Sequence, residues 1–75
     1  MVKDFLIKNN FILNDFGGYS NDKCDVFIHP EYYEVVFNYI SIDIISGSIY
    51  SSNLEIYWLI GVLTYYNLMD KNYKK

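Results

Sequence analysis

The apolar residues of one β-forming run change parity halfway along it. In YYEVVFNYISIDII, residues 32–45, they switch from odd to even positions next to Asn38. The odd set is Tyr33, Val35, Phe37 and Tyr39, and the even set is Ile40, Ile42 and Ile44. Successive side chains of a strand point to opposite faces, so a single regular strand cannot place both sets on one face. The run therefore predicts either a turn or bulge near Asn38, or a sheet with two apolar faces.

The N-terminal half of the chain divides at its Asn and Gly residues. Helical spacing of apolar residues predicts a helix over about residues 2–9, which the left-handed preference of Asn9 and Asn10 would end. Residues 11–16 are predicted to form a short strand, followed by a turn at the two glycines. A further strand is predicted over 24–29, before a proline-containing turn. On this strand Cys24, Val26 and Ile28 share one face, and Asp25, Phe27 and His29 share the other.

The C-terminal half is predicted to be a turn followed by a helix. Residues 46–48, SGS, are typical of a turn, and Ser52 with Glu55 matches a capping box that starts a helix at about Asn53. Asn67 or residues 70–72 would end this helix. The chain is thus predicted to be a single α+β domain, residues 1–75: an N-terminal helix, a three- or four-stranded antiparallel sheet, and a C-terminal hydrophobic helix packed on the sheet.

The C-terminal helix has two apolar stripes instead of one. At 100° per residue, Leu54, Trp58, Gly61 and Tyr65 form a stripe expected to pack on the chain's own sheet. Small domains bury a modest share of their surface, so we expect a second copy of the chain to cover the other stripe in a homo-oligomer, most simply a dimer. The predicted oligomer interface consists of Ile56, Leu59, Ile60, Leu63 and Tyr66.

Composition and charge narrow the function classes. The 75 residues carry a net charge of −3 and contain no arginine, which argues against binding duplex nucleic acid. A single cysteine excludes an intrachain disulfide, and the sequence predicts a cytoplasmic protein. The apolar run of the last helix is shorter than the roughly 20 residues of a membrane span, so no membrane partner is expected.

No catalytic or metal-binding pattern is complete. The tripeptide DFG at residues 15–17 lacks every other kinase motif, and no serine or cysteine has the sequence context of a nucleophile. Zinc prefers about four convergent ligands, whereas His29 and Cys24 are the only residues of their types and fall on opposite strand faces. We therefore expect no catalytic residues, no metal and no cofactor.

Acidic and aromatic residues alternate in the middle of the chain. If the loops at 17–23 and 30–32 lie together, their carboxylates form an anionic rim with interleaved tyrosines, a composition suited to a basic protein surface. The alternative is an ordinary solvated surface of an acidic protein. The predicted partner-binding residues are Tyr19, Asp22, Asp25, Glu31, Tyr32, Tyr33 and Glu34.

The closing run GSIYSSNLEIYWLIGVLTYYNLMDKNYKK resembles the endings of short uncharacterised phage and prophage proteins of AT-rich bacteria. Ile, Asn, Lys, Tyr and Phe make up 38 of the 75 residues, a bias that also points to an AT-rich genome. The resemblance implies an anti-defence protein, anti-CRISPR-like in the broad sense, that inhibits a host protein by covering its surface in the host cytoplasm. The alternative is a small-molecule or nucleotide-binding protein whose site lies between subunits and is lined by strand residues 33–44.

Overall fold

The computed structural model describes residues 2–45 and 52–74, with side chains for residues 2–44 and 56–74. The elements in chain order are α1 (Val2–Lys8), β1 (Ile12–Leu13), β2 (Tyr19–Ser20), β3 (Asp25–Ile28), β4 (Tyr32–Phe37), β5 (Ile40–Ile45) and α2 (Ser52–Tyr65). The predicted α+β class is confirmed. The predicted turn at 46–48 and the Ser52–Glu55 capping box lie outside the described residues and side chains.

The described strands form one antiparallel sheet in the order β1-β2-β3-β4-β5, each strand paired with its neighbours in the chain. The sheet therefore has five strands, where three or four were predicted. The additional strand is β2, whose two residues Tyr19 and Ser20 are too few to show a periodic pattern. β1 is equally short and includes only Ile12 and Leu13 of the strand predicted over residues 11–16.

A two-residue turn accounts for the parity change. Asn38 and Tyr39 both have positive φ, 48° and 65°, the pattern of a type I′ hairpin turn. Phe37 then lies opposite Ile40, so every odd residue of β4 faces an even residue of β5. Of the two sequence alternatives, the turn near Asn38 is correct, and the sheet has one core face.

The core lies between this face and both helices. α1 contributes Val2, Phe5 and Leu6, which are buried together with the inward residues of β3 to β5 and one side of α2. The predicted face of Cys24, Val26 and Ile28 is confirmed as the inner face of β3. The buried residues of the sheet and α2 are Val26, Tyr33, Val35, Phe37, Ile44, Leu59, Ile60 and Leu63.

Both helices end in the same way. The residues after α1 and α2 that adopt positive φ are Asn10 and Asn67. The next residue in each case, Phe11 or Leu68, donates its amide to a carbonyl five residues earlier, at 3.0 Å and 2.7 Å respectively. This is the Schellman arrangement, and its hydrophobic residue is buried both times. The expectation that asparagines end the two helices is confirmed.

The chain buries the opposite side of α2 from the one predicted. Leu59 and Leu63 are completely buried and Ile60 nearly so, whereas Trp58, Gly61 and Tyr65 are exposed. The prediction that the Trp58 stripe packs on the sheet is therefore wrong. Leu59, Ile60 and Leu63 belong to the chain's own core, so they do not form an oligomer interface. Of the remaining predicted interface residues, Ile56 is half-buried and Tyr66 is exposed.

Candidate functional site

The outer face of the sheet carries one acidic side chain on each of its three longest strands. Asp25 on β3, Glu34 on β4 and Asp43 on β5 have the parity opposite to that of the core residues. Glu34 and Asp43 are directly opposite each other in the β4–β5 ladder. Asp25 lies opposite Val36, two residues from Glu34 on the same face. We call Asp25, Glu34 and Asp43 the acidic face.

Hydroxyl groups from neighbouring strands support two of these carboxylates. The Oγ of Ser20 donates to Oδ1 of Asp25 at 2.5 Å, and the Oγ of Ser41 donates to Oε2 of Glu34 at 2.7 Å. The other carboxylate oxygen of Glu34 lies 3.1 Å from Nε2 of His29. These contacts fix the side chains of Asp25 and Glu34 on the sheet while Asp43 remains exposed.

The acidic face has aromatic neighbours. The ring of His29 stacks on Tyr32 with centroids 4.3 Å apart, at the end of β3 where Glu34 accepts from the histidine. Phe27 projects from the same face of β3, opposite Glu34. Among the strands of the described residues none contains lysine or arginine. The surface therefore combines negative charge with aromatic area; its basic neighbours are His29, which contacts Glu34, and Lys23, which lines the adjoining groove with Asp25.

The contacts of Glu34 predict a specific acid sensitivity. Its hydrogen bond from Ser41, and then its contact with His29, lower the pKa of Glu34 below the ordinary value of 4.5. A carboxyl with a lowered folded-state pKa stabilises the fold above its unfolded-state pKa, and that stabilisation disappears as the pH falls through the folded-state value. We expect Ser41→Ala to reduce the loss of stability below pH 4.5, as measured by urea denaturation at neutral and acidic pH.

Ser41→Thr is the matched control, because it keeps the hydroxyl group on a strand position that threonine suits. Its stability should follow the wild-type pH dependence. Superimposable profiles for Ser41→Ala and the wild type would show that the Ser41–Glu34 hydrogen bond contributes nothing in solution.

The structure separates the residues predicted to form a continuous anionic rim. Asp22 and Glu31 are exposed, but they lie in the turns at opposite ends of β3, about 13 Å of strand apart. Tyr33 is buried in the core, and Tyr19 packs against the core from the inner face. Asp22 and Glu31 therefore do not lie together, and Tyr33 is unavailable to a partner. The predicted residues that do share the outer face are Asp25, Tyr32 and Glu34.

Two residues of this region were absent from the predicted set. Asp43 joins the acidic face because the two-residue turn places it opposite Glu34. Tyr39 is fully exposed at the hairpin tip, where it borders an open groove of about 510 Å³ that Asp22 and Asp25 also line. A two-residue turn at residues 38–39, once recognised in the sequence, is enough to predict that Asp43 lies opposite Glu34. The exposure of Tyr39 follows from the same turn, because the residue lies at its tip.

Tyr39 holds a backbone conformation that suits glycine. A φ of 65° brings the Cβ of an L-residue close to its own backbone at a cost of about 1–2 kcal/mol, and Asn-Gly is the preferred sequence of a type I′ turn. We expect Tyr39→Gly to raise the free energy of unfolding by about 0.5–1 kcal/mol in urea denaturation, after the greater freedom of glycine in the unfolded chain is subtracted. Tyr39→Ala retains the Cβ and should give no such gain. A destabilised Tyr39→Gly protein would mean that the tyrosine ring itself supports the hairpin.

Cys24 is not a reactive group in this fold. Its thiol is buried beneath the outer face. Burial, together with the negative charges of Asp25 and Asp22, raises its pKa to about 12, so the thiol stays protonated at neutral pH.

In the described part of the chain, no group of three or more His, Cys, Asp or Glu side chains is placed to hold a metal ion. His29 contacts Glu34 and Tyr32.

The alternative of a ligand site between subunits, lined by strand residues 33–44, stays a prediction. Tyr33, Val35 and Ile44 are buried in the chain's own core, whereas Phe37 is buried there and also borders the open groove at the hairpin tip. Four accessible aromatic side chains lie on α2, around a shallow groove of about 500 Å³ next to Ile42.

None of the helices in the described part of the chain is long and apolar enough to cross a membrane. Comparison of the chain with protein-family models, with curated proteins and with solved structures finds no match.

Proposed function

We propose that this chain is a non-enzymatic protein-binding module that contacts a basic surface of another protein through the acidic face. The observation that carries the proposal is the direct pairing of Glu34 with Asp43, with Asp25 beside them. Like charges directly opposite each other on a sheet are destabilising. The juxtaposition of Glu34 with Asp43 does not itself stabilise the fold, whereas a cationic partner would neutralise both charges.

The surroundings of the acidic face support the same proposal. Phe27 and Tyr32 offer aromatic surface on which lysine or arginine side chains can pack. Tyr39 adds an exposed ring at the edge of the neighbouring groove. Its backbone has a positive φ, for which glycine is the preferred residue in a hairpin turn of this type. Strained residues that the fold does not require are characteristic of binding sites.

The sequence resemblance supplies the biological setting of the proposal. The module is encoded by a phage, acts in the cytoplasm of the host, and inhibits a host defence protein by covering its surface. Its negative charge suits a groove that otherwise receives nucleic acid, because such grooves are lined with lysine and arginine. Occlusion of this kind requires no catalytic group.

Charge reversal tests the proposal. Tagged wild-type protein is used to capture a partner from host lysate, and the affinity of the captured partner is then measured for Asp43→Lys and for Asp15→Lys. Both residues are exposed, and the two variants have the same net charge, but Asp15 lies in the turn after β1 and is not one of the three residues of the acidic face. We expect Asp43→Lys to weaken binding about tenfold or more and to flatten its salt dependence.

Asp15→Lys should have a small effect by comparison. Equal weakening by the two variants would show that binding depends on net charge and not on the acidic face. If the tagged protein captures no basic protein, the proposed class of partner is wrong.

A further inference from the structure

The exposed side of α2 forms an aromatic patch, which we define as Tyr57, Trp58, Gly61, Tyr65 and Tyr66. The exposed fractions of the four rings are 54%, 41%, 79% and 43% in that order. Together with Ile42 and Val62 the patch lines the groove between α2 and β5. The patch contains no charged residue and lies on the helical side of the sheet, opposite the acidic face.

Gly61 at the centre of this patch has no role in the chain's own packing. A Cβ added there would meet no other side chain within 4 Å in the described part of the chain. Glycine in the middle of a helix is less stabilising than alanine, because it loses more backbone freedom on folding. The packing of the chain itself therefore does not explain why residue 61 is glycine. Contact with another molecule would explain it, since glycine allows a close approach to the helix backbone.

The spacing of the rings around Gly61 is symmetric. Tyr57 precedes it by four residues and Tyr65 follows it by four, so both lie one turn away on the same side of the helix. If two such helices cross antiparallel at Gly61, Tyr57 of one copy lies beside Tyr65 of the other, and the reverse contact forms by symmetry. A two-fold interface requires this self-complementarity, in which each contact occurs twice.

The size of the patch is sufficient for a small dimer. With about 200 Å² for a whole aromatic side chain, the exposed fractions leave roughly 400 Å² of ring surface on each copy, or about 800 Å² for two. Ile42 and Val62 border the groove and add to this area. A stable interface buries about 1,000 Å² or more in total, so the rings supply most of what is needed.

We propose that a second copy of this chain covers the aromatic patch, with the two α2 helices crossing antiparallel at Gly61. The interface thus consists of the residues that the chain leaves exposed, in place of the buried leucines predicted from the sequence. Two chains of charge −3 can associate here because the patch is uncharged and the acidic faces point away from each other. This proposal does not depend on the function of the acidic face.

Two variants and one control test the dimer by sedimentation velocity over a range of concentrations. Tyr65→Ser removes the most exposed ring and should lower the association constant about tenfold or more. Gly61→Ala should weaken association while raising the stability of the diluted monomer, and a purely structural role for Gly61 would not give these opposite signs. Phe16→Ser removes an equally exposed ring from the turn after β1 and should leave association unchanged.

Trp58 provides an independent readout because it is the only tryptophan in the chain. Its fluorescence emission should shift to the red on dilution, as the partner helix leaves, at the concentration where sedimentation shows dissociation. A chain that stays monomeric at all concentrations overturns the proposal, even if a different protein is found to cover the patch. A dimer that persists in both Tyr65→Ser and Gly61→Ala, or that depends on Phe16, also overturns it.

Discussion

Replacing Leu63 with alanine is expected to lower the free energy of unfolding by about 3 kcal/mol, because the side chain is completely buried and its loss leaves a cavity. A core of this size supplies only about 3–5 kcal/mol of net stability, so the variant should be largely unfolded or close to its midpoint at room temperature. Urea denaturation followed by circular dichroism measures the change.

Tyr65→Ala is the matched control for Leu63→Ala. It lies on the same helix, two residues away, and is 79% exposed, so its effect should stay within about 0.5 kcal/mol. The comparison is made at a dilution where the chain is monomeric, so that lost association does not enter. The reverse order of effects would restore the face assignment predicted from the sequence, in which the Trp58 stripe packs on the sheet.

Replacing Gly18 with alanine is expected to lower the free energy of unfolding by about 1–3 kcal/mol, because the position is closely packed. A Cβ there would lie 2.6 Å from two ring carbons of Phe27 and 3.0 Å from the carbonyl oxygen of Val26. The half-buried ring can move part of the way, but the backbone oxygen belongs to the β3 strand and cannot move without disturbing the sheet. Denaturation of the variant in urea measures the cost.

A double-mutant cycle isolates the ring contact. In a Phe27→Ala background the same Gly18→Ala change should cost clearly less, with the remainder due to the Val26 carbonyl. Equal costs in both backgrounds would show that Phe27 does not pack on Gly18. Gly17→Ala serves as a contrast: an added Cβ has space in the described structure, and only its φ of 82° opposes the change, at about 1 kcal/mol.

The parity of the strand residues carried most of the information about the fold. The change at Asn38 limited the run to two alternatives, and the same parity placed Val26 in the core. The turn near Asn38 could also have been chosen over a sheet with two apolar faces, since asparagine readily adopts positive φ in a hairpin turn. Two-residue strands such as β2 cannot be predicted in this way, because two residues are too few to show an alternating pattern.

The two sides of α2 could not be separated by hydrophobicity, because both are apolar. What distinguishes them is the type of side chain. Aliphatic Leu59 and Leu63 pack against the sheet, where close fit matters, whereas the tyrosines keep their hydroxyl groups near water. Sorting the stripes by aliphatic and aromatic character, with Gly61 on the aromatic one, would have predicted the observed orientation.

The candidate site was predicted in part. Asp25, Tyr32 and Glu34 do share a face, because strand parity fixes it. The rim with Asp22 and Glu31 failed because it assumed that two loops meet, and in an antiparallel meander the turns at the two ends of one strand lie apart. Asp43 was missed for a related reason, since its pairing with Glu34 depends on the length of the intervening turn.

The role of the acidic face is tested most directly by a titration of the ¹⁵N-labelled full chain with an oligolysine peptide at low salt, followed through the amide chemical shifts. We expect the shifts to concentrate on β3, β4 and β5 around Asp25, Glu34 and Asp43, and to decrease with added salt. Asp43→Lys should reduce them and Asp15→Lys should not. Shifts distributed evenly over the exposed acidic residues, including Asp15 and Asp70, or confined to the aromatic patch of α2, would contradict the assignment of the outer sheet face as the binding surface.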